Sequence, residues 1–543
     1  MKTTTVAMLV AAAPLRAVDR PMELPAEHCE AVRRRRRRIV VQQDVYDVLL
    51  AYAKQRAGAA APFGAFCDAV FADVDEPGSQ IDAIWWDISG NAVGSVFPSG
   101  VAPRDPIPLV RQWHAEGVDW VDQLVKETRR RKLEVFWNHR FSEVDLLPDA
   151  TRTTQADPLK VQHSDWVTPA KWWPHGMWNA AVRELRAFKV ALLRELVIRF
   201  DLDGLQIDFS RHIPCLPVGR QWELRGEVTE FMRMVRVMLL EVAQKRGRPL
   251  LLAAKVPETL EGCQIDGLDV TTWGEQRLVD VLTLGSRTMD VDVESLRTAV
   301  GAAVQLQPCF DDHHATDGYR YGSSEFLRGV FANHFARGAD SVVTFNWSVA
   351  PPAVLAGIGA ESGPLTHEIA YKEVGDPRIM SGKDKIFAVE RRGGYPWAEG
   401  YFNRNDGAPL PMLLTGKDPA LTLHISEAPA RSADVILRGI FFRAVAEDHF
   451  EIRLNGVLLP ITLRDAEWKD GQIFSPAPQP PSGGKGEYKI NPEQHLLRLE
   501  CAVPRGAWQR GRNRCEIRVT RAAPPVDRPP VQVEKLEAHL RYA

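Results

Sequence analysis

Short runs in which apolar and polar residues alternate recur along the first two thirds of the chain, and longer stretches with apolar residues at helical spacing separate them. In the run 204–209, Leu205, Ile207 and Phe209 alternate with small or polar residues, the last of which is Asp208. A period of two is that of a β-strand with different surroundings on its two faces. The pattern predicts a strand that packs on helices with one face and carries Asp208 at the end of the other.

Eight such runs are predicted as strands, with the bounds 39–43, 81–87, 133–138, 204–209, 250–256, 279–284, 304–310 and 341–346. Helical spacing predicts helices at 120–131, 177–199 and 227–246. Alternating strands and helices are typical of parallel βα units, and eight of them close a barrel. A doubly wound open sheet has the same alternation, but no GxGxxG sequence follows the first strand. We therefore expect the α/β fold of a (β/α)8 TIM barrel over residues 38–350.

The rhythm changes at 351–385, where two adjacent prolines and several glycines predict a connection between domains. Seven strand-like runs follow, at 386–391, 420–425, 433–441, 450–454, 496–501, 515–520 and 533–541. They predict a C-terminal all-β sandwich over 386–543. Within it, Asn455-Gly456 between apolar residues is a hairpin signal. We expect this domain to brace the barrel, because no compact aromatic platform for a glycan is visible in its sequence.

The amino-terminal segment 1–37 has two features of its own. Lys2, the apolar stretch 6–13 and the small residue Ala17 resemble a short secretory signal, which predicts a secreted or periplasmic protein, with a cytoplasmic location as the alternative. Six consecutive arginines occupy 33–38 and predict a solvated arm that leads into the first strand. No other segment approaches the ~18 apolar residues that a membrane span requires.

Composition narrows the class of partner. A chain of 543 residues with 45% hydrophobic content exceeds one ordinary domain. Its 68 basic and 70 acidic residues leave a formal charge of −2, which provides no global field for nucleic acid or an anionic membrane. Seven cysteines without CxxC spacing argue against a structural zinc site and a dense disulfide framework. We expect no cofactor, no nucleic acid and no membrane as partners.

Polar and aromatic residues follow the predicted strands, at the face where barrel enzymes place their chemistry. Those predicted to contact a substrate are Trp85, Trp86, Asp87, Asn138, Arg140, Glu143, Arg211, His212, Lys255, Asn346 and Trp347. Indole rings suit the apolar faces of a sugar, and carboxylates and amides suit its hydroxyl groups. The sequence therefore predicts an oligosaccharide or polysaccharide substrate.

Glycoside hydrolysis needs two carboxyl groups beside one bond. Asp208 is the first by its place at a strand end, although it could instead accept hydrogen bonds from the next turn or cap a helix. The second is left open between Glu258, Asp311 and Asp312 as predicted catalytic residues, with Glu143 and Asp87 also in competition. Strand parity predicts that Gln305, Gln307, Cys309 and Asp311 point inward, as does Lys255.

The sequence Asp-Asp-His-His at 311–314 contains side chains that can ligate a metal. Adjacent residues of a loop rarely all face one ion, and no HExxH sequence or EF-hand loop accompanies them. We expect no metal site. Lys255 could form a Schiff base, but a lysine beside carboxylates is more often an ion-pair partner or a substrate ligand.

The stretch 203–209, Asp-Gly-Leu-Gln-Ile-Asp-Phe, resembles the fourth-strand signature of glycosyl-hydrolase-like barrels related to the α-amylase and α-galactosidase superfamily. The stretches 267–273, 278–280, 338–340 and 345–346 are similar to later strands of the bacterial family-10-like glycosyl hydrolases. The resemblance covers most of 38–350, and a β-sandwich is a customary companion of such barrels. It implies that Asp208 is the nucleophile of a retaining mechanism and that Glu258 has the position of the acid.

The working hypothesis is a glycoside hydrolase. Four cations, Arg140, Arg211, His212 and Lys255, lead us to expect an acidic or sulfated glycan, since guanidinium groups bind such anions in bidentate fashion. The alternative is that these cations pair with neighbouring carboxylates. Two other functions stay open: a barrel that binds glycans without cleaving them, and a lyase or isomerase acting on an acidic sugar with Lys255 or His212 as base.

Overall fold

The structure of the protein is a computed structural model that describes part of the chain. The described residues are 20–35, 37–45, 48–49, 52, 62–87, 97–101, 108–142, 158–170, 173–285, 288–311, 318–319, 321–345, 347, 364–391, 402, 407–416, 420–429, 433–470, 495–525 and 527–543. The predicted secretory signal lies outside them, as do Glu143, Asp312 and Asn346.

The described strands are β1 (Ile39–Asp44), β2 (Ile81–Asp87), β3 (Glu134–Arg140), β4 (Val167–Ala170), β5 (Trp173–Trp178), β6 (Gly204–Asp208), β7 (Leu251–Val256), β8 (Val281–Leu284), β9 (Gln305–Asp311), β10 (Val342–Phe345), β11 (Lys385–Ala388), β12 (Met412–Leu413), β13 (Leu421–Ile425), β14 (Ala433–Phe442), β15 (His449–Leu454), β16 (Val457–Leu458), β17 (Ile461–Trp468), β18 (Leu496–Val503), β19 (Gly511–Arg521) and β20 (Gln532–Tyr542).

The described α-helices are α1 (Ala26–Arg34), α2 (Phe63–Val70), α3 (Ala72–Asp75), α4 (Pro108–Ala115), α5 (Trp120–Arg130), α6 (Pro158–Gln162), α7 (Arg183–Arg199), α8 (Arg225–Arg246), α9 (Leu260–Ile265), α10 (Val270–Glu275), α11 (Val293–Val300), α12 (Ser324–Ala336), α13 (Pro364–Glu373) and α14 (Pro377–Met380). Short 3-10 turns occur at Ser164–Trp166 and Arg505–Ala507. None of the helices within the described ranges is long and apolar enough to cross a membrane.

Eight parallel strands close a barrel in the order β1-β10-β9-β8-β7-β6-β3-β2. All eight strands predicted from the alternating pattern are confirmed, with bounds that differ by no more than two residues. The strands run in chain order around the barrel, interrupted only by the antiparallel hairpin of β4 and β5 between β3 and β6. The predicted TIM barrel is therefore the fold of this part of the chain.

The two faces of each barrel strand have different neighbours. Leu205 and Ile207 of β6 belong to the large apolar cluster between the barrel and its helices. Trp85 and Phe136 point inward and stack with ring centroids 4.4 Å apart. Close packing also requires Gly204, since a Cβ there would lie 2.5 Å from the Phe136 ring and 2.4 Å from a backbone oxygen of β7. The barrel interior is packed with apolar side chains toward the N-terminal ends of the strands and is polar at their C-terminal ends.

Two of the three predicted helices are confirmed and one is corrected. α5 begins after Asp119, whose side chain accepts a hydrogen bond from a backbone N–H of the first turn, and α8 ends at Gly247 in the left-handed conformation. The helix predicted from 177 begins only at Arg183, because Met177 and Trp178 belong to β5. Apolar residues of a buried hairpin strand can imitate helical spacing when a true helix follows closely.

The N-terminal end of the barrel is closed by the arginine-rich segment. Arg37 is buried and donates two hydrogen bonds to Glu134 of β3, at 2.7 and 2.8 Å. Arg35 donates to Glu134 and to Asp203, at 3.0 and 3.3 Å. The expectation of a solvated arm is wrong for these two arginines, because the partly buried Glu134 at the start of β3 and the buried Asp203 directly before β6 bind them. Arg33 and Arg34 end α1 on the outside.

Two described helices lie in the segment 351–385 that we expected to be a connection. Ala370 and Tyr371 of α13 and Met380 of α14 are buried in the same cluster as the barrel core. The Tyr371 hydroxyl also forms a 3.2 Å hydrogen bond with Thr344 of β10. This part of the segment is therefore packed against the barrel.

The C-terminal region forms two antiparallel sheets, one ordered β11-β20-β14-β18-β17 with β12 beside β20, the other β13-β19-β15-β16. Leu437 and Leu499 of the first sheet share one apolar cluster with Leu423 and Ile517 of the second. The predicted all-β character is confirmed, and Asn455-Gly456 forms the predicted hairpin turn. β17 was not predicted because most of its residues are partly exposed, so its apolar pattern is weak.

Candidate active site

The C-terminal ends of the barrel strands bring buried polar side chains together from β1, β2, β3, β6 and β7. Gln42, Asp87, Asn138, Asp208 and Lys255 all point inward and are buried. Each stands at or near the end of its strand, since the parallel register aligns β1 with β2, β3 with β6 and β6 with β7. A barrel of parallel strands thus turns five separated residues into one polar ring.

Asp208 uses its two carboxylate oxygens differently. Oδ1 accepts hydrogen bonds from the backbone N–H groups of Ser210 and Arg211, both at 2.9 Å. Oδ2 faces the ring, 3.5 Å from Nε2 of Gln42 and 4.0 Å from Nζ of Lys255. Oδ1 therefore has the role of an acceptor for backbone donors, which was the alternative. Oδ2 points into the barrel, as predicted for a catalytic carboxylate.

Gln42 connects Asp208 to its neighbours. Its Oε1 accepts hydrogen bonds from Lys255, at 3.0 Å, and from Gln206, at 3.2 Å. Because both partners are donors, the amide NH2 of Gln42 must point to Asp87 and Asp208. Gln42 was not among the site residues predicted from the sequence, although strand parity with Val40 and its place at the end of the first strand could have found it.

A chain of hydrogen bonds below the ring fixes the orientation of these amides. Ser341 donates to Gln307 at 3.2 Å, Gln307 donates to Thr283 at 2.8 Å, and Thr283 donates to Gln206 at 2.6 Å. Gln206 in turn donates to Asn138 at 2.7 Å. Every member is buried, so each amide has one favourable orientation. The predicted inward direction of Gln307 is confirmed.

Arg140 lies between two carboxylates. Its Nη2 is 2.6 Å from Asp44 and 2.8 Å from Asp87, and its Nε donates to Asp87 at 2.9 Å. Asn138 donates a further hydrogen bond to Asp87 at 3.0 Å. The expected role of Arg140 in binding an anionic substrate is not supported, because its guanidinium already pairs with Asp44 and Asp87. Asp44, at the end of β1, was not among the predicted site residues.

Lys255 and Phe345 form the opposite wall of the ring. The ammonium nitrogen of Lys255 lies 4.0 Å from the centre of the Phe345 ring, within cation–π distance. Burial raises the pKa of the neighbouring Cys309 thiol to about 12, against the lowering effect of Lys255. Cys309 is therefore a neutral thiol near pH 7 and not a thiolate nucleophile.

The structure describes two of the remaining predicted catalytic carboxylates. Asp311 is buried at the end of β9, beside Phe345 in the register of β9 and β10. Glu258 is buried two residues after β7, against Gly285, where a Cβ would lie 3.2 Å from its Oε2. Both therefore stand at the same end of the barrel as Asp208. Asp312 and Glu143, the other expected carboxylates, lie outside the described residues.

The two adjacent indoles of β2 are not at this end of the barrel. Trp85 points into the barrel interior, and its Nε1 donates to Glu134, at the N-terminal end of β3, at 3.2 Å. Trp86 points outward, and its Nε1 donates to Thr128 of α5 at 3.1 Å. Neither can stack on a sugar bound beside Asp208. Both strand faces accept tryptophan in this sequence, so the residue type did not reveal the position.

The other expected substrate contacts are spread over the rim. Trp347 is buried, donates to the Phe310 carbonyl at 3.0 Å and stacks on His367, so it packs the strand end against α13. Arg211 is half-buried in the loop after β6, with its guanidinium carbon 5.9 Å from the centre of the Phe345 ring. His212 is the buried residue next to it and has a left-handed backbone, with φ of 57°. Asn346 lies outside the described residues.

Within the described ranges, no group of three or more histidine, cysteine, aspartate or glutamate side chains is placed to hold a metal ion. The sequence 312–314, which carried the only suggestion of one, lies outside those ranges. All seven cysteines are free. The chemistry that the described part of the site can offer rests on carboxylates, amides, a lysine and an arginine.

Residues 70–215 match the model of a protein family described as glycosyl hydrolase-like 10. This range contains β2, β3 and β6, and with them Asp87, Asn138, Arg140 and Asp208. The match confirms the resemblance inferred from the sequence over this part of the barrel. No curated protein sequence matches the chain.

Three solved structures are similar to parts of the chain. An α-L-fucosidase isoenzyme 2 from Paenibacillus thiaminolyticus has 13% identity and a TM-score of 0.40, over 65% of this chain and 52% of that chain. A noncanonic maltogenic α-amylase from Thermotoga neapolitana has 9% identity and a TM-score of 0.36, over 88% and 98%. A group II chitinase catalytic domain from Ostrinia furnacalis has 11% identity and a TM-score of 0.36, over 62% and 96%. The chain spans about half the length of the fucosidase.

Proposed function

We propose that the protein is a glycoside hydrolase whose reaction takes place at the C-terminal end of the barrel. The observation that carries this proposal is the state of Asp208: a buried carboxylate at a strand end, with one oxygen held by two backbone N–H groups and the other directed into the polar ring. A fixed carboxylate of this kind suits attack on an anomeric carbon. The family match over residues 70–215 supports the same reaction class.

In the proposed mechanism, Oδ2 of Asp208 is the nucleophile. The two backbone donors fix the orientation of the carboxylate plane. The amide of Gln42 and the ammonium group of Lys255 stabilise its negative charge. Asp87, fixed by Arg140 and Asn138, is available to accept hydrogen bonds from sugar hydroxyl groups. Glu258 and Asp311 are the described candidates for the acid that protonates the leaving oxygen.

We propose an acidic or sulfated glycan as substrate only through Arg211. Of the other three cations, Arg140 is paired with Asp44 and Asp87, Lys255 faces Asp208, and His212 is buried. No carboxylate of the described residues lies within ion-pair distance of Arg211. A uronate or sulfate group bound near the rim would meet this guanidinium in bidentate fashion.

The experiment is product release from a panel of neutral, uronic and sulfated glycans by the wild type, Asp208→Asn and Asp203→Asn. Asp203 is the matched control, because it is a buried aspartate at the other end of the same strand. We expect Asp208→Asn to lower kcat by at least about a thousandfold. Folded Asp203→Asn should cleave at close to the wild-type rate, and equal losses in the two variants would contradict the assignment.

One observation favours a second candidate function, a barrel that binds glycans without cleaving them. Asp208 is fully buried, and both its oxygens already have partners within the protein. In that case an oligosaccharide would slow the wild type and Asp208→Asn equally in gel retardation, and neither protein would release product. A product that absorbs in the ultraviolet would instead support a lyase.

A further inference from the structure

A buried carboxylate of the all-β unit, that of Glu390, reaches a loop of the barrel. Glu390 lies just after β11, and its backbone belongs to the all-β unit, since its carbonyl accepts a hydrogen bond from Leu410. Its Oε2 accepts three hydrogen bonds from the loop after β8: from the Thr288 hydroxyl at 2.9 Å, from Met289 N at 2.9 Å and from Asp290 N at 3.2 Å. One oxygen therefore orders the middle of that loop.

Both ends of the loop after β8 contact Glu258. At the start, Gly285 leaves room for the Glu258 side chain, because a Cβ there would lie 3.0 Å from its Cβ and 3.2 Å from its Oε2. At the end, Asp292 N donates a 3.0 Å hydrogen bond to the Glu258 carbonyl. Any shift of the loop after β8 must therefore move a neighbour of Glu258.

A second contact from the C-terminal part of the chain lies on the other side of Glu258. Phe402 N donates to Asp266 at 2.8 Å, and the Phe402 ring packs on Gly262 of α9, where a Cβ would lie 2.9 Å from its Cγ. α9 begins directly after Thr259, which caps it. Burial raises the pKa of Asp266 to about 8, against the lowering effect of the Phe402 N–H. Near pH 7 Asp266 is therefore neutral and adds no second anion beside Glu258.

We infer that Glu390 is a positioning residue for Glu258: the all-β unit holds, through this carboxylate, the loop against which the catalytic candidate Glu258 rests. The inference rests on the proposed function, in which Glu258 is a candidate for the acid. The three hydrogen bonds given above join the Glu390 carboxylate to the loop after β8, so its proposed effect on catalysis passes through that loop. A group that protonates a leaving oxygen must be held to within a fraction of an ångström, so the support of its loop affects the rate.

Three variants of the full chain test this inference. Glu390→Ala removes the acceptor of the three hydrogen bonds, whereas Glu390→Gln keeps one side-chain oxygen that can accept them. Asp448→Ala is the matched control, because Asp448 is also a buried carboxylate that accepts two backbone N–H groups, from Val445 and Ala523, but within the all-β unit. It reproduces the loss of a buried acceptor without touching the barrel.

Hydrogen exchange gives a readout that needs no substrate. We expect Glu390→Ala to accelerate exchange at Met289, at Asp290 and also at Asp292, whose N–H binds the Glu258 carbonyl, by at least about tenfold. Glu390→Gln should restore most of the protection, and Asp448→Ala should leave these amides unchanged. Acceleration confined to Met289 and Asp290, with Asp292 still protected, would overturn the inference whether or not the protein cleaves glycans.

Kinetics gives the second readout once a substrate is known. We expect Glu390→Ala to lower kcat about tenfold or more with KM within twofold of the wild type, and Glu390→Gln to recover most of kcat. An unchanged kcat in Glu390→Ala, with activity lost in Asp208→Asn, would overturn the inference and leave the proposed function intact. Failure of the wild type to cleave any glycan would remove the proposed function, and the exchange experiment would then decide the loop contact alone.

Discussion

The two ends of the barrel contain the same types of charged residue but use them differently. At the N-terminal end, buried carboxylates are matched by guanidinium groups: Asp203 contacts three of them, and Asp280 contacts Arg236 at 2.9 Å. At the C-terminal end, Asp208 is held by backbone N–H groups and the amide of Gln42, with the nearest cation 4.0 Å away. One end is compensated pair by pair, and the other leaves a carboxylate oxygen directed into a polar ring.

Asp203 and Asp208 make the comparison within five residues of one strand. Both are buried, yet Asp203 forms ion pairs with Arg35, Arg129 and Arg248, whereas Lys255 is the one cation of the described residues within ion-pair distance of Asp208. Complete pairing suits stability, and an incompletely paired acid suits chemistry. The contrast concerns these two aspartates, because at the C-terminal end Arg140 pairs with Asp44 and Asp87 and only Asp208 of the described ring has no guanidinium beside it.

The same contrast appears in acid strength. Burial opposes the ionisation of Asp280 at the N-terminal end, but Arg236 and His28 hold its pKa well below the usual range. At the C-terminal end, burial raises the pKa of Asp266 to about 8 and Glu258 adds to the rise, while the backbone N–H of Phe402 lowers it too little to compensate. Equal burial therefore has opposite results, depending on whether a guanidinium group lies beside the carboxylate.

The largest expected effect is the loss of Arg236. Arg236→Met leaves Asp280 buried without its guanidinium, and we expect the free energy of unfolding to fall by about 3–5 kcal/mol. Urea denaturation at pH 7 measures the change, with Arg34→Met, an exposed arginine of α1, as the control. A loss smaller than about 1 kcal/mol would show that the N-terminal end is not stabilised by this pair.

A smaller effect separates Asp203, directly before β6, from Asp208 at the end of β6. Asp203→Asn removes the anion shared by three guanidinium groups, and we expect it to lower the free energy of unfolding by about 2–3 kcal/mol. Asp208→Asn keeps an oxygen for its two backbone donors, so its cost should stay below about 1 kcal/mol. The measurement is again urea denaturation, and the comparison breaks if Asp208→Asn is the more costly change.

The pH dependence of stability should have opposite signs at the two ends. The folded pKa of Asp266 is raised, so its contribution is present below its unfolded pKa of about 3.9 and is lost as the pH rises to about 8. Asp266→Asn should therefore gain stability relative to the wild type across this window, by up to about 1.4 kcal/mol per pH unit.

Asp280→Asn is the matched comparison for this titration. Because the folded pKa of Asp280 is lowered, its contribution is present above pH ~4 and is lost only at more acid pH. The difference between wild type and Asp280→Asn should thus be flat from pH 5 to 8 and shrink below pH ~4. Parallel pH profiles for the two variants would contradict the contrast between the ends of the barrel.

The smallest effect concerns the exposed rim of the N-terminal end. Arg38 binds Asp82 through three hydrogen bonds of 2.7 to 2.9 Å, but nearly half of its side chain is exposed. Arg38→Ala should change the free energy of unfolding by less than about 1 kcal/mol, and less still at high salt. A change as large as that of Arg236→Met would show that burial does not distinguish the ion pairs of this end.

Much of the barrel could be predicted from the chain because a strand's two faces depend on local alternation. Strand bounds within two residues, the inward direction of Gln307 and Lys255, and the place of Asp208 at a strand end all follow from period two. The helix predicted from 177 failed because β5 lies directly before α7 and its apolar residues continue the helical spacing. Such errors occur where one buried element follows another without a clear break.

Within the candidate site, the sequence did not reveal which side chains contact each other. Trp86 stood next to Trp85 in the prediction, yet the two indoles point to opposite sides of β2 and neither reaches the ring. Arg140 was predicted to bind substrate, but its guanidinium forms ion pairs with Asp44 and Asp87. Partners that lie 53 and 96 residues away in the chain cannot be identified from spacing, since only barrel closure brings their strands together.

Local alternation and turn chemistry were enough to determine the eight strands, the direction of their side chains and the all-β character that follows, because each depends on a few neighbouring residues. Closure of the barrel decided the rest: that Arg35 and Arg37 seal one end, that Gln42 links Asp208 to Lys255 at the other, and that Glu390 reaches the loop beside Glu258. These are contacts between distant segments, and their energies depend on burial and charge that exist only in the folded protein.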